Sequence, residues 1–301
     1  MPYGTLSVPL RYVTTTNLAI ESLRRQNLKR FKKAICNETF KGWDIDDVFK
    51  FVAELGYDGV EIHPYTLHEP MEEITPEMRK RIRNSAESAD VEIVGVHGVL
   101  KTARDFYYIN HPDSSIRAKT VEHIRALIRL CGDLGGKIMV LGASKQRNVL
   151  PELTYQQVWD YAVETFKNLL DATEEYGVIL CLEPLSYRLT NFITKASEAV
   201  KMVEEINHPC FKMMIDVRSA TDDEMPIPEL IRRFAPYIAH FHANDDNGKG
   251  PAMGNADYAG ISSALKEIDY KGYLSVEVFD FQSDPETIAR ESLNALKKFF
   301  D

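Results

Sequence analysis

The sequence predicts an α/β protein folded as a single (β/α)₈ barrel, and three observations point to it. Short apolar runs, of the kind that form strands buried on both faces of a parallel sheet, alternate eight times with amphipathic helical stretches. The alternation occupies residues 33–300, close to the roughly 250 residues typical of such a barrel, and favours closure over an open doubly wound sheet. No Pro- or Ser-rich linker and no shift in composition splits the chain. The expected organisation is a lead-in segment over 1–30 and one barrel domain over 31–301.

The lead-in segment runs into the basic stretch RRQNLKRFKK, read as a solvated helix or entry segment rather than a targeting or RNA-binding element. Strand one is 33–37. The first helix spans 44–55, with Asp44 or Asp46 near its N-cap and Gly56 just past its end, where a left-handed residue is wanted. Strand two is 59–63. Thr75, with Pro76 behind it, opens the second helix over 75–89. Strand three, 92–97, leads through a long aromatic loop, 101–112, to a helix over 114–134 stopped by Gly135 and Gly136. Strand four is 137–141, and its helix covers 154–176 and ends at Gly177. Strand five is the run VILCLEP at 178–184, which Pro184 stops because it has no N–H for the ladder. There follow helix 195–206, strand 211–216, helix 226–234, strand 238–242, helix 259–268, strand 273–278 and a closing amphipathic helix over 284–300.

With 36 basic against 45 acidic residues the formal net charge is −9. That balance speaks against partners such as nucleic acid or an anionic membrane, which attract basic patches. Cys36, Cys131, Cys181 and Cys210 stand apart, mostly in apolar runs, without the CxxC spacing of a zinc ribbon. Reduced thiols and a cytoplasmic location are expected. No stretch approaches the ~20 apolar residues of a membrane span, and the first residues lack the apolar core of a signal peptide.

The strand ends collect the chemistry. Glu183 closes strand five, Asp216 strand six, His242 strand seven and Glu277 strand eight, each one βα unit after the last. In a barrel, groups at the C-terminal ends of neighbouring strands converge at the top. A lone carboxylate there is ordinarily a helix cap or an ion-pair partner, and a lone His242 a hydrogen-bonded core residue. Four in register are harder to explain that way. Three clustered carboxylates raise one another's pKa values, a conflict that one divalent metal ion removes. The oxygen-rich set suits a hard cation, Mn²⁺ first, with Mg²⁺, Co²⁺ or Zn²⁺ as alternatives.

CLEP, the MMIDV run, HFHAND and the closing GYLSVEVF, together with AICNETF, LGYDGVEIHPY and LGGKIMVLG, resemble the xylose isomerase-like TIM barrels over nearly the whole chain from Lys33 to Phe300. That superfamily holds sugar isomerases, ketose 3-epimerases, hydroxypyruvate isomerases, inosose dehydratases and endonuclease IV. The resemblance implies a metal-dependent isomerase or epimerase of carbohydrate metabolism that abstracts a proton next to a carbonyl through an enediolate. It implies Glu183 and Glu277 as the acid/base pair on opposite sides of a bound sugar, with Asp216 and His242 mainly as metal ligands. It also implies a homo-oligomer, or pairing with a different subunit.

Departures narrow this. Ser219 stands where the epimerases commonly carry a histidine, and Leu189 where they carry a second glutamate. In the loop NDDNGKGPAMG, Lys249 takes the place of an arginine, while Arg188 and Arg218 add positive charge suited to a carboxylate, a phosphate or a sugar hydroxyl. His63 and His97 close strands two and three and are candidates for the substrate cavity, with satisfied core or loop histidines as the even alternative. His240 is expected one layer deeper, in the core. Asn37, Phe40, Trp43 and Tyr65 suit a sugar wall or ordinary packing, the loop 101–112 a lid or a packed segment. Lys145, Gln146 and Arg147 are candidate polar contacts.

The two losses bring forward a lyase on a 3-oxo sugar, of C-glycoside deglycosidase or keto-inositol dehydratase type, in which the same carbanion expels a leaving group. A nuclease is disfavoured, because the three zinc ions of endonuclease IV need further histidines, including one where Ser219 stands. A non-catalytic sugar-binding barrel gives no reason to keep all four strand-end residues.

Overall fold

The computed structural model describes residues 31–68, 73–100, 106–280 and 283–301, so the expected lead-in segment lies outside the described residues. Eight strands run parallel and pair in chain order: β1 (Lys32–Cys36), β2 (Gly59–Ile62), β3 (Glu92–Val96), β4 (Ile138–Leu141), β5 (Ile179–Leu182), β6 (Phe211–Asp216), β7 (Ile238–Ala243) and β8 (Tyr273–Val276). β1 also pairs with β8, from Lys32↔Tyr273 to Ile35↔Val276, and this pairing closes the barrel.

The helices between the strands are α1 (Ile45–Leu55), α2 (Pro76–Ser88), α3 (Ser114–Asp133), α4 (Tyr155–Lys167), α5 (Leu170–Tyr176), α6 (Ala196–Ile206), α7 (Val217–Ala220), α8 (Ile227–Arg233) and α9 (Tyr258–Glu267), with α10 (Pro285–Phe300) after β8. Local chemistry sets their ends. Asp44 caps α1 by accepting from the Asp46 amide over 2.9 Å, and Gly56 turns the chain away at φ +96°. Thr75 accepts from the Met78 amide over 3.2 Å at the start of α2. The expected helix over 154–176 is two helices. At the junction the Asn168 carbonyl accepts from the Arg125 guanidinium, which also holds Asp171 at 2.6 Å. A side chain drawing on that carbonyl opens the helix ladder at this turn.

The main apolar core fills the layer between strands and helices, with Ile35, Leu180, Phe211 and Leu274 meeting Phe49, Ile124, Leu127 and Ile288. Each such side chain contributes about 1.5–3 kcal/mol on burial. Inside the barrel the apolar cluster is small, built on Val140, Cys181 and Met214. Glu61, His97, His240, His242 and Ser275 are buried as well, so the barrel interior departs from the usual stack of branched aliphatics. That polar interior supports the site above it.

Candidate active site

Register builds the site. β6 and β7 pair Asp216 with His242, and β7 and β8 pair His242 with Ser275, two residues before Glu277. His242 Nδ1 lies 3.0 Å from Glu277 Oε2 and 3.9 Å from Asp216 Oδ2. One ligand atom from each of the three sits within 4.8 Å of the others. Glu183, just past β5, joins them through Ser219 on α7. The Ser219 hydroxyl donates to Glu183 Oε1 over 3.1 Å while its amide donates to Asp216 Oδ1 over 2.7 Å. Asn244 Nδ2 donates to Asp216 Oδ2 over 2.6 Å.

Two further residues seat Glu183. Arg147, only 2% exposed, donates from Nη1 to the Glu183 carbonyl and from Nε to the Ala143 carbonyl, both over 2.8 Å. Gly142 leaves room for the carboxylate, since a Cβ there would stand 2.0 Å from Glu183 Oε2. Glu183, Asp216, His242 and Glu277 are all buried.

The charges do not balance. Burial, then the neighbouring Asp216 and Glu277, push the Glu183 carboxyl up to about 8. Burial and Glu277 raise Asp216 likewise. Burial works upward on Glu277 too, but the charge and hydrogen bond of His242 bring it below its ordinary value. His242 is discharged by burial and recharged by Glu61 and Glu277, and ends well above the usual imidazole range. Four buried carboxylates, Glu61 included, thus lie around one imidazolium, and the cluster lacks positive charge. Carboxylate oxygens and an imidazole nitrogen are donors that fit a hard divalent cation.

His63 and His97 also reach this end of the barrel, one on each oxygen of Glu38. His63 Nε2 is 3.6 Å from Oε2 and His97 Nε2 is 3.4 Å from Oε1. The His97 ring stands edge-on to His242 with centroids 6.2 Å apart, and Glu38, His97 and Glu277 again offer ligand atoms within 4.8 Å. Asn37 accepts from the His63 amide over 2.7 Å and so holds the start of that loop.

The cationic candidates make other contacts. The Arg188 side chain is 69% exposed and paired with Asp222 at 3.1 Å. Arg218 stacks over the Phe279 ring, 4.4 Å from its centroid. Lys249 lines a groove beside α10 with Val278, Asp280 and Glu291. Leu189 is exposed. Phe40 and Trp43 pack with Phe51 of α1 as an aromatic cluster, and Tyr65 donates to the Val99 carbonyl over 2.9 Å. Of the loop 101–112, residues 101–105 lie outside the described residues. Tyr107, Tyr108 and Ile109 are buried, and the Ile109 amide donates to the Gln146 carbonyl over 2.9 Å, so this half is a packed segment. Lys145 is exposed, and Gln146 donates to the Leu100 carbonyl over 3.2 Å.

Two residues escaped sequence reasoning. Glu38 sits in a single helical turn after β1, with no periodic signal to mark it. Glu61 did leave a signal, a carboxylate in the middle of a buried strand. Its Oε1 lies 3.0 Å from His242 Nε2 and its Oε2 2.8 Å from His240 Nε2.

Comparison with known proteins agrees with this architecture. The chain is 21% identical over 259 residues to a fructoselysine 3-epimerase of Shigella flexneri, covering 84% of this chain and 92% of that protein. It is 22% identical over 267 residues to the 3-dehydro-D-guloside 4-epimerase of Escherichia coli strain K12, covering 87% and 97%. The crystal structure of a D-psicose 3-epimerase in the presence of D-fructose superposes with a TM-score of 0.79 at 20% identity, over 90% of this chain and 99% of that one. The family model described as xylose isomerase-like TIM barrel matches residues 49–299, from within α1 almost to the end of α10, and by that match the chain belongs to this family.

Proposed function

We propose that the protein is a divalent-cation-dependent sugar isomerase or epimerase that moves a proton at a carbon beside a carbonyl. The observation that carries this reading is the pair of buried glutamates, Glu183 and Glu277, gathered with Asp216 around one imidazole. The relatives named above, a fructoselysine 3-epimerase and a 3-dehydro-D-guloside 4-epimerase, are sugar epimerases and support it.

Glu183, Asp216, His242 and Glu277 would hold the cation, with Mn²⁺ as the first expectation. When bound, it would polarise the substrate carbonyl and offset the negative charge that develops on its oxygen. The remaining work falls to the chain. One glutamate takes the carbon-bound proton and the other returns one, from the opposite side for an epimerisation. Ser219 and Arg147 hold Glu183 by its carboxylate and its carbonyl. His242 holds Glu277 ionised and ready to accept. His63, His97 and Glu38 supply polar contacts to sugar hydroxyls, with Arg218 at the rim. Burial of all four residues keeps them in a low-dielectric setting, where their charges act on one another more strongly than in water.

None of the relatives named above is a lyase, so the 3-oxo-sugar elimination considered from the sequence is set aside. Among the described residues no helix is long and apolar enough to cross a membrane. The four free cysteines support a reducing, cytoplasmic setting, and native mass measurement tests the expected oligomer.

The test is deuterium wash-in. The Mn²⁺-loaded protein is incubated in D₂O with a panel of ketoses, aldoses and 3-oxo-glycosides, and carbon-bound protons are followed by NMR. Exchange beside the carbonyl together with a rearranged sugar is expected. Loss of an aglycone or of water would return the lyase, and a panel without exchange would remove the reading.

A further inference from the structure

Glu61 has no part in the reaction described above, yet it is one of the most completely buried carboxylates among the described residues. It sits on β2 between Val60 and Ile62, which belong to the apolar strand–helix layer, so its own side chain enters the barrel. There it crosses to β7. Oε1 meets His242 Nε2 at 3.0 Å and Oε2 meets His240 Nε2 at 2.8 Å, while His97 Nδ1 lies 3.5 Å from Oε1. Burying a carboxylate costs several kcal/mol unless hydrogen bonds meet it, and an apolar side chain would fill this layer without that cost.

The geometry gives the carboxylate a task. A carboxylate only accepts, so the contact at 3.0 Å requires the proton of His242 to reside on Nε2. With Nε2–H engaged by Glu61, Nδ1 is the nitrogen that faces the proposed cation site, 3.0 Å from Glu277 Oε2 and 3.9 Å from Asp216 Oδ2, and a cation bound there would take the place of the Nδ1 proton that Glu277 accepts. His240 locks the carboxylate in turn, by donating to its second oxygen. We propose that Glu61 is a positioning residue that fixes the Nε2–H tautomer and the ring orientation of His242, so that Nδ1 serves as the nitrogen donor to the cation. Carboxylates that hold ligating histidines in this way typically change metal affinity by 10–100-fold when removed. This inference rests on the proposed cation site.

The experiment reads cation binding and ring protonation rather than turnover. The wild-type chain and Glu61→Gln are stripped of metal and titrated with Mn²⁺ by calorimetry, with circular dichroism as the check on folding. The expected result is wild-type binding at one site per chain and a loss of about 10–100-fold in affinity in Glu61→Gln. Equal affinities would overturn the role of Glu61 and leave the cation site standing. A wild-type chain that takes up no cation would overturn both. Should Glu61→Gln not fold, ¹⁵N spectra of the histidine rings in the wild-type protein loaded with diamagnetic Zn²⁺ decide. A protonated Nε2 and a metal-shifted Nδ1 on His242 are expected, and the reverse assignment would overturn the inference.

Discussion

The Ser219 hydroxyl donates to Glu183 Oε1 over 3.1 Å while its amide donates to Asp216 Oδ1 over 2.7 Å. Ser219 thus steadies the glutamate. One neutral hydrogen bond contributes about 1 kcal/mol, so Ser219→Ala should lower kcat by about fivefold with KM little changed. Steady-state kinetics on the substrate found by deuterium wash-in checks this; an unchanged kcat would contradict it.

Glu277 lies 3.0 Å from His242 and is held ionised by it. Glu277→Gln keeps the shape and removes the proposed base. Turnover should fall by about 10²–10⁴-fold, the usual contribution of a positioned acid/base, while circular dichroism stays unchanged. Full activity in this variant would contradict the acid/base pairing.

The raised pKa of Glu183 makes the metal-free protein sensitive to pH. Its carboxyl titrates near 4.5 when unfolded and about 8 when folded. Between these values the native state keeps a proton that the unfolded state has lost, so unfolding free energy falls as pH rises. Stability is fully present below about pH 4.5 and is lost on the way to pH 8. Urea midpoints of the EDTA-treated protein should decline across that window, and Glu183→Gln should flatten the decline. A rise in midpoint from Glu183 across that window would contradict the assignment.

At the base of β1, the buried Lys33 ammonium pairs with the Asp301 carboxylate after α10. Asp301 is half exposed, so the pair is worth less than a fully buried one. Asp301→Asn leaves the ammonium without its counter-charge and should cost about 1–3 kcal/mol, read from urea denaturation, with catalysis unaffected.

Much of this was legible in the sequence for physical reasons. A strand buried on both faces must be apolar, so VILCLEP and MMID announce β5 and β6, and a carboxylate ending such a run needs a reason. The helix ends were legible at Asp44, Gly56 and Thr75 because caps satisfy backbone groups locally. What stayed hidden depends on distant partners. The break at Asn168 comes from Arg125 on another helix, and the outward turn of Arg188 comes from Asp222. Glu38 sits on a turn with no period to read. Glu61 was readable in principle, as a charge inside a buried strand, but its meaning required the two histidines on the opposite wall.

The most direct test of the central claim is an anomalous difference map from a crystal of the Mn²⁺-loaded protein. The account predicts one strong peak bonded to Glu183, Asp216, Glu277 and His242 Nδ1 at the C-terminal end of the barrel. A peak elsewhere, or none at this cluster, would contradict it.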